Sequence, residues 1–334
     1  MNESRKKLLV TGATGFVGQA LCRTGVAGDW NVRALIRSPL QRQDLPIELR
    51  DQAVLADLLD TESLSNACDS THTILHLAGE AHVGNEHKQP STHSIVVTAE
   101  NLLTAALQAG VRRIVFLSSS LAESAASGVG DVTAYGKAKL AAEALFSNAC
   151  IKGEIETVIL RPVNVYGVGM KGNIAGMISM IAGGRLPPLP SIASRISLLG
   201  VQDLVQAIIL ALNSENMNGR TFMITDGQAY SISEIEAAIY QVLGKTAPRW
   251  RTPAVILYAA SVVAGLLSKA GLRQSSISAR TYRNLMNDNL FDNASICKEL
   301  GFEPSIDLYD ALPEIVENIV STSEQQNKSQ TRTK

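Results

Sequence analysis

The sequence predicts an α/β fold: a doubly wound parallel sheet joined to a smaller α/β substrate-binding lobe. Three observations carry this. Short apolar or β-branched runs alternate with longer helical patterns over the first 160 residues, the mark of successive βαβ units. A glycine-rich turn, Thr11-Gly12-Ala13-Thr14-Gly15-Phe16-Val17-Gly18, sits between the first such run and the first helical pattern. After Arg161-Pro162 the character changes, and Gly and Pro become frequent (Gly167, Gly169, Gly172, Gly176, Gly183, Gly184, Pro187, Pro188, Pro190).

In chain order the strand candidates are Lys7 to Val10, Val32 to Ile36, Ala53 to Leu55, Thr73 to Leu77, Ile114 to Leu117 and Thr157 to Leu160. Helical patterns lie around Val17 to Thr24, Glu62 to Ala67, Thr92 to Ala109 and Thr133 to Ala149, with Gly25 and Gly110 placed as helix ends. We therefore expect a dinucleotide-binding domain over 1–162 and a mainly substrate-binding lobe over 163–320, some of whose strands return to the first sheet. The tail 321–334, STSEQQNKSQTRTK, has no apolar anchor and is expected to be disordered. There is no internal repeat.

The 334 residues suffice for one large domain or two intimate ones. Hydrophobic residues make up 46% and charged residues 18%, which excludes disorder over most of the chain. With 30 Lys and Arg against 31 Asp and Glu, no basic excess exists to neutralise a phosphate backbone, so nucleic acid is not an expected partner. Cys22, Cys68, Cys150 and Cys297 lie far apart without metal or disulfide spacing and read as reduced thiols. Met1 to Lys7 is polar and runs into only a short apolar stretch, so the expectation is a cytoplasmic protein. Ala254 to Leu267 is almost wholly apolar but shorter than the ~20 residues of a bilayer span, and reads as a core, dimer-facing or membrane-contacting helix rather than a transmembrane one.

The glycine turn has a specific chemistry. Gly12 permits the tight turn, Gly15 lets the backbone approach a pyrophosphate, and Gly18 lets strand and helix pack closely, while free N–H groups at the helix start face the anion. The pattern predicts the dinucleotide site of a Rossmann-type fold. An acidic residue is expected at the end of the second strand for a ribose 2′-hydroxyl; the chain has Leu35-Ile36-Arg37-Ser38 there. A guanidinium suits a 2′-phosphate, so NADP(H) is preferred over NAD(H). Asp57 and Leu58, after the third strand, are placed to meet the adenine.

Tyr135 and Lys139 stand at i and i+4 in Tyr135-Gly136-Lys137-Ala138-Lys139, on one face of a helix. A phenol has a pKa near 10, and an adjacent ammonium favours its phenolate. Ser118-Ser119-Ser120, directly after the fifth strand, can donate a hydroxyl to a substrate oxygen. All five histidines fall between His72 and His93, but no acidic or cysteine spacing accompanies them, so no metal is expected.

TGATGFVG, HLAG at His76 to Gly79, the serine run, YGKAK, and LRPVNVYG at Leu160 to Gly167 together resemble the extended short-chain dehydrogenase/reductase family, in its nucleotide-sugar branch of epimerases, dehydratases and 4-keto reductases. The likeness spans residues 6 to 315. It implies that Tyr135 is the acid/base, that Lys139 binds the nicotinamide ribose and tunes Tyr135, and that the catalytic serine is Ser119, with Ser120 one register away. It further implies a cofactor lining of Gly12, Thr14, Gly15, Phe16, Val17, Gly18, Arg37, Asp57, Leu58, Leu77, Ala78, Gly79 and Pro162. For a UDP-sugar it implies Ser119, Ser120, Asn164, Lys171, Asn173, Arg195 and Arg280.

Three departures stand out against the family pattern. Ile95 to Asn101 keeps only Val96 and the final Asn of the usual motif, and Ile196 occupies the place of a diphosphate-binding Arg, with Arg195 one residue earlier. The segment between Ser120 and Tyr135 is short, so sugar specificity does not transfer. The expected activity is hydride transfer at C4 of a UDP-linked N-acetylhexosamine. A 4-keto-6-deoxy sugar reductase of surface-polysaccharide synthesis is preferred on the strength of Arg37, and a 4-epimerase is the alternative. A silent NADP(H)-binding sensor and a reductase of hydrophobic ketones such as steroids stay open; a 4,6-dehydratase is disfavoured because Ser120 and Leu121 stand where an acid pair belongs. A homodimer is expected.

Overall fold

The computed structural model describes residues 5–24, 30–79, 92–190, 193–253, 255–256, 259 and 287–331. Among them, seven parallel strands form one sheet: β1 (Lys7–Thr11), β2 (Asn31–Ile36), β3 (Ala53–Leu55), β4 (Thr73–His76), β5 (Arg113–Leu117), β6 (Glu156–Pro162) and β10 (Arg220–Ile224). Their spatial order is β10-β6-β5-β4-β1-β2-β3, so the strand order reverses between β1 and β4. In open α/β sheets a ligand lies at that reversal, beyond the carboxyl ends of the strands. The register joins fully buried runs: Leu8, Leu9 and Val10 pair with Thr73, Ile74 and Leu75.

Alternate residues of the strands face opposite layers. Leu9, Leu35, Ile74, Ile114, Phe116 and Ile159 pack against α3 (Thr61–Cys68), α4 (Thr92–Gln108) and α6 (Ala134–Ile151). The small residues Ala99, Ala105, Ala106, Ala138, Ala142 and Ala149 let these helices approach closely. The opposite layer holds α1 (Phe16–Arg23) against α8 (Val201–Asn213). Pro39 to Arg50, for which the sequence predicts no element, contains a 3-10 turn at Pro39–Asp44 and α2 (Ile47–Arg50).

The described chain divides into two compact units. The first comprises Met1–Val165, Val201–Thr225 and Asp292–Ser305; it includes α5 (Ser120–Ser127), the start of β7 (Asn164–Tyr166), and α10 (Ala294–Leu300). The second comprises Tyr166–Gly200, Asp226–Phe291 and Ile306–Lys334. In the second unit α7 (Asn173–Ala182), α9 (Ile232–Val242) and α11 (Leu308–Thr331) pack together, and β8 (Arg195–Ile196) pairs antiparallel with β11 (Tyr230–Ser231); β9 (Leu198–Gly200) follows β8 in the chain and is not part of that pair. The Tyr230 hydroxyl donates to Asp226 Oδ2 at 2.6 Å and accepts from Leu308 N at 3.1 Å, while Tyr166 donates to the Ile306 carbonyl at 2.7 Å.

Helix α11 runs through Thr331, into the stretch from Ser321 that the sequence reads as disordered. The stretch is polar but carries no Gly or Pro, and its hydroxyls turn back onto the helix, Ser321 and Thr322 to Asn318 O and Ser323 to Ile319 O. The apolar run Ala254 to Leu267 lies almost entirely outside the described residues. No helix among the described residues is long and apolar enough to cross a membrane.

Candidate active site

The turn after β1 is built around carbonyl Gly12 O. Gly15 N donates to it at 2.9 Å, and Gly12 itself has φ +74°, with a hypothetical Cβ 2.7 Å from Ala78 N. A side chain there would strike the backbone leaving β4. A Cβ on Gly18 would overlap Gly12 O, so the helix can leave the strand this tightly only with glycine. Gln19 Nε2 donates to Thr14 O at 3.2 Å and steadies the loop.

Helix α1 starts at Gly15 with no side-chain cap and no acidic residue in its first turn. Its leading N–H groups and the positive end of its dipole are thus free for an anion. The narrow glycine cradle and the uncapped helix start fit a dinucleotide pyrophosphate. Thr14, Gly15, Phe16 and Val17 line that start and are exposed or half-buried.

The Arg37 backbone N–H donates to Gln41 Oε1 at 2.8 Å within a Ser38–Gln41 capping box. The guanidinium itself is exposed and makes no hydrogen bond or ion pair among the described residues. Asp57 Oδ1 accepts from Leu59 N at 3.0 Å, and Leu58 is buried. Asn101, the retained end of the divergent α4 motif, donates from Nδ2 to Leu58 O at 3.0 Å, so it anchors the loop after β3.

Across the reversal, β4 ends at His76 and is followed by Leu77, Ala78 and Gly79. Thr11 Oγ1 lies 2.7 Å from His76 Nδ1 and accepts from Ala78 N at 3.2 Å, which ties β1 to the turn after β4. Burial, and then the Lys139 charge, push His76 down to about 3, so it is neutral and structural. Among the described residues no group of three or more His, Cys, Asp or Glu side chains is placed to hold a metal; His82 and His87 lie outside them.

Helix α6 carries Tyr135 and Lys139. Its N-cap is Thr133, whose Oγ1 accepts from Gly136 N at 2.7 Å. Lys139 is buried, its Nζ donates to Leu117 O at 2.9 Å, and it sits 4.6 Å from the Phe116 ring centroid. A Cβ on Gly79 would come within 3.1 Å of the same ammonium. The side chain therefore crosses the carboxyl ends of β4 and β5.

Within the protein alone, burial lowers the Lys139 ammonium to about 8 against the opposing pull of Glu143, and raises the partly buried Tyr135 phenol to about 12. Desolvation disfavours both charged forms, and it wins here.

The serine run divides its labour. Ser118 turns inward and donates from Oγ to Glu143 Oε1. Ser119 is half-buried and is the N-cap of α5, accepting from Leu121 N at 3.2 Å. Ser120 opens that helix and is buried. The short segment before Tyr135 thus holds α5 and then an irregular stretch over 128–133.

Sequence reasoning missed a charged cluster beneath this site. Glu143 accepts from Arg161 Nε at 2.9 Å and Nη2 at 2.5 Å, and Arg161 Nη1 also pairs with Glu123 on α5. The signal was present, since Glu143 continues the i, i+4 stripe of Tyr135 and Lys139. Pro162 is buried beside Arg161, and Asn164 is exposed.

In the second unit, Lys171 and Asn173 are exposed at the start of α7, whose N-cap Gly172 has φ 111° and no side-chain cap. Arg195 is exposed on β8, with its guanidinium 3.5 Å from Ala229 O and its backbone N–H on Asp288 Oδ1. Arg280, the neighbouring Arg283 and the stretch beyond Gly79 to Gly84 lie outside the described residues.

A family model described as the NAD dependent epimerase/dehydratase family matches residues 8–225. The UDP-glucose 4-epimerase of Vibrio cholerae is 30% identical over 268 residues, 75% of this chain and 79% of that protein. A 3 beta-hydroxysteroid dehydrogenase/Delta 5-->4-isomerase of Mycobacterium tuberculosis is 28% identical over 348 aligned positions, covering 96% of this chain and 92% of the relative. Among solved structures, MoeE5 in complex with UDP-glucuronic acid and NAD superposes with a TM-score of 0.73 at 23% identity over 95% of this chain and 99% of that one.

Proposed function

The chain belongs to the NAD dependent epimerase/dehydratase family, a family of extended short-chain dehydrogenase/reductase enzymes, and from that premise we propose that it is an NADP(H)-preferring reductase acting at C4 of a UDP-linked 4-keto-6-deoxy-N-acetylhexosamine. The observation that carries hydride chemistry is the seat of Lys139 across the ends of β4 and β5, one helical turn from Tyr135. When bound, the nicotinamide would supply the hydride.

The glycine turn and the start of α1 hold the pyrophosphate, with Leu77, Ala78, Gly79 and Pro162 along its course. Arg37 is free to meet a ribose 2′-phosphate. Lys139 holds the nicotinamide ribose and presents positive charge to Tyr135. Tyr135 gives a proton to the C4 oxygen as the carbonyl becomes an alcohol, and Ser119 or Ser120 orients that oxygen. Asn164, Lys171, Asn173, Arg195 and Arg280 are assigned to the nucleotide sugar.

Two other readings have specific support. The Vibrio cholerae relative favours 4-epimerisation, and the Mycobacterium tuberculosis relative, matched over nearly the whole chain, favours a hydroxysteroid-like substrate. One experiment separates the three. Purified protein is given NADPH with the 4-keto sugar, UDP-N-acetylglucosamine without added cofactor, or a 3-ketosteroid with NADPH. Oxidation of NADPH with the first alone supports the reductase. Conversion of UDP-N-acetylglucosamine to its galacto isomer overturns it in favour of the epimerase, and turnover of the steroid alone overturns the sugar assignment.

A further inference from the structure

The cluster beneath Tyr135 and Lys139 joins four elements through one carboxylate. Glu143 is 4% exposed, and its two oxygens receive Ser118 from the end of β5 and a two-point grip from Arg161 on β6. Arg161 reaches on to Glu123 of α5. Formal charges in the set cancel: Lys139 and Arg161 against Glu143 and Glu123. A buried carboxylate held this way needs its partners, because removing one leaves an uncompensated charge.

Among the described residues the surroundings of Lys139 offer no other anion. On its own helix stand Tyr135 and Glu143. From β4 comes the neutral His76, from β6 Arg161, and from α5 Glu123, already paired with Arg161. On α4, His93 and Glu100 are exposed.

We propose that Glu143 is a positioning residue for the Tyr135–Lys139 pair, one that keeps the buried Lys139 ammonium charged while it locks the serine turn and the end of β6 to the same face of α6. This rests on the reading of Tyr135 and Lys139 as proton donor and cofactor ligand. Ser118 then has a role distinct from those of Ser119 and Ser120. It is buried and donates to the carboxylate.

The test uses Glu143→Gln, which keeps the shape and an acceptor while removing the charge. The Lys139 side-chain amine is titrated by 15N NMR in the full chain with and without NADPH, its signal identified by its loss in Lys139→Arg. The midpoint is expected to fall by about one pH unit, the size of effect that one adjacent opposite charge exerts. With a turned-over substrate, the alkaline limb of kcat/KM should move down by the same amount. Glu143→Asp, which restores the charge, should bring the midpoint back towards the parent value.

If Glu143→Gln does not fold, the double variant Glu143→Gln/Arg161→Gln, which removes both charges of the buried pair, is compared with Arg161→Gln alone, and the midpoint is expected to fall from the single variant to the double one. An unchanged Lys139 midpoint in the folded variant overturns the inference. Absence of turnover in the unmodified protein would instead count against the proposed reaction, and the NMR midpoint reads the Glu143 effect without any substrate.

Discussion

The backbone of Gly136 presses against the carbonyl of Leu121 so closely that a Cβ on the glycine would overlap that oxygen. Gly136 follows Tyr135 on α6, and Leu121 follows the serine run on α5. The contact therefore sets how near the serine turn lies to the tyrosine.

Replacing Gly136 by Ala should cost about 1–3 kcal/mol of stability, the usual penalty for overpacking, and should lower kcat more than it raises the KM for cofactor. Thermal melting and steady-state kinetics report both. A variant with unchanged melting and turnover would mean that α5 can move aside freely.

For Tyr135→Phe, kcat should fall by about 10² or more, because a positioned general acid is normally worth that much. The glycine turn and Lys139 are untouched, so the dissociation constant of NADPH, read by fluorescence titration, should stay within about threefold. Turnover near the parent level would remove Tyr135 from the proton transfer.

Arg37 stands exposed with no protein partner among the described residues. Arg37→Asp should weaken NADPH by about tenfold or more while leaving NADH nearly unaffected, since a charge-assisted contact is exchanged for repulsion. Equal affinity of the unmodified protein for NADPH and NADH would show that the guanidinium faces solvent in the complex.

His76 supplies a prediction about acid stability. Its folded pKa of about 3 lies below the ordinary 6.5, so between those values the unfolded chain binds the extra proton. Its contribution to stability is present above pH 6.5 and is lost as pH falls towards 3. Urea midpoints measured across that window should drop more steeply in the parent than in His76→Gln, which cannot take up the proton. Parallel slopes would place the acid sensitivity in other groups.

Much of this molecule was readable from residue order. Alternating apolar runs gave the strands their places, because a strand buried on both faces tolerates no polar gap, and Leu8 to Val10 and Ile114 to Leu117 have none. The glycines at 12, 15 and 18 named their own location, since a turn that tight excludes any Cβ. The spacing of Tyr135 and Lys139 likewise follows from helical geometry alone.

Tertiary structure decided what depends on partners far apart in the chain. Whether Tyr135 titrates with its lysine or against its burial is a balance of desolvation and charge, and burial is known only once β4, β5 and α6 have come together. The inward turn of Ser118 and the grip of Arg161 on Glu143 join residues 25 and 18 positions apart, beyond the reach of any local pattern. The polar end of α11 shows the reverse: composition alone reads as disorder, but the helix runs on from its packed start through Thr331, with no Gly or Pro after Ser321 to stop it.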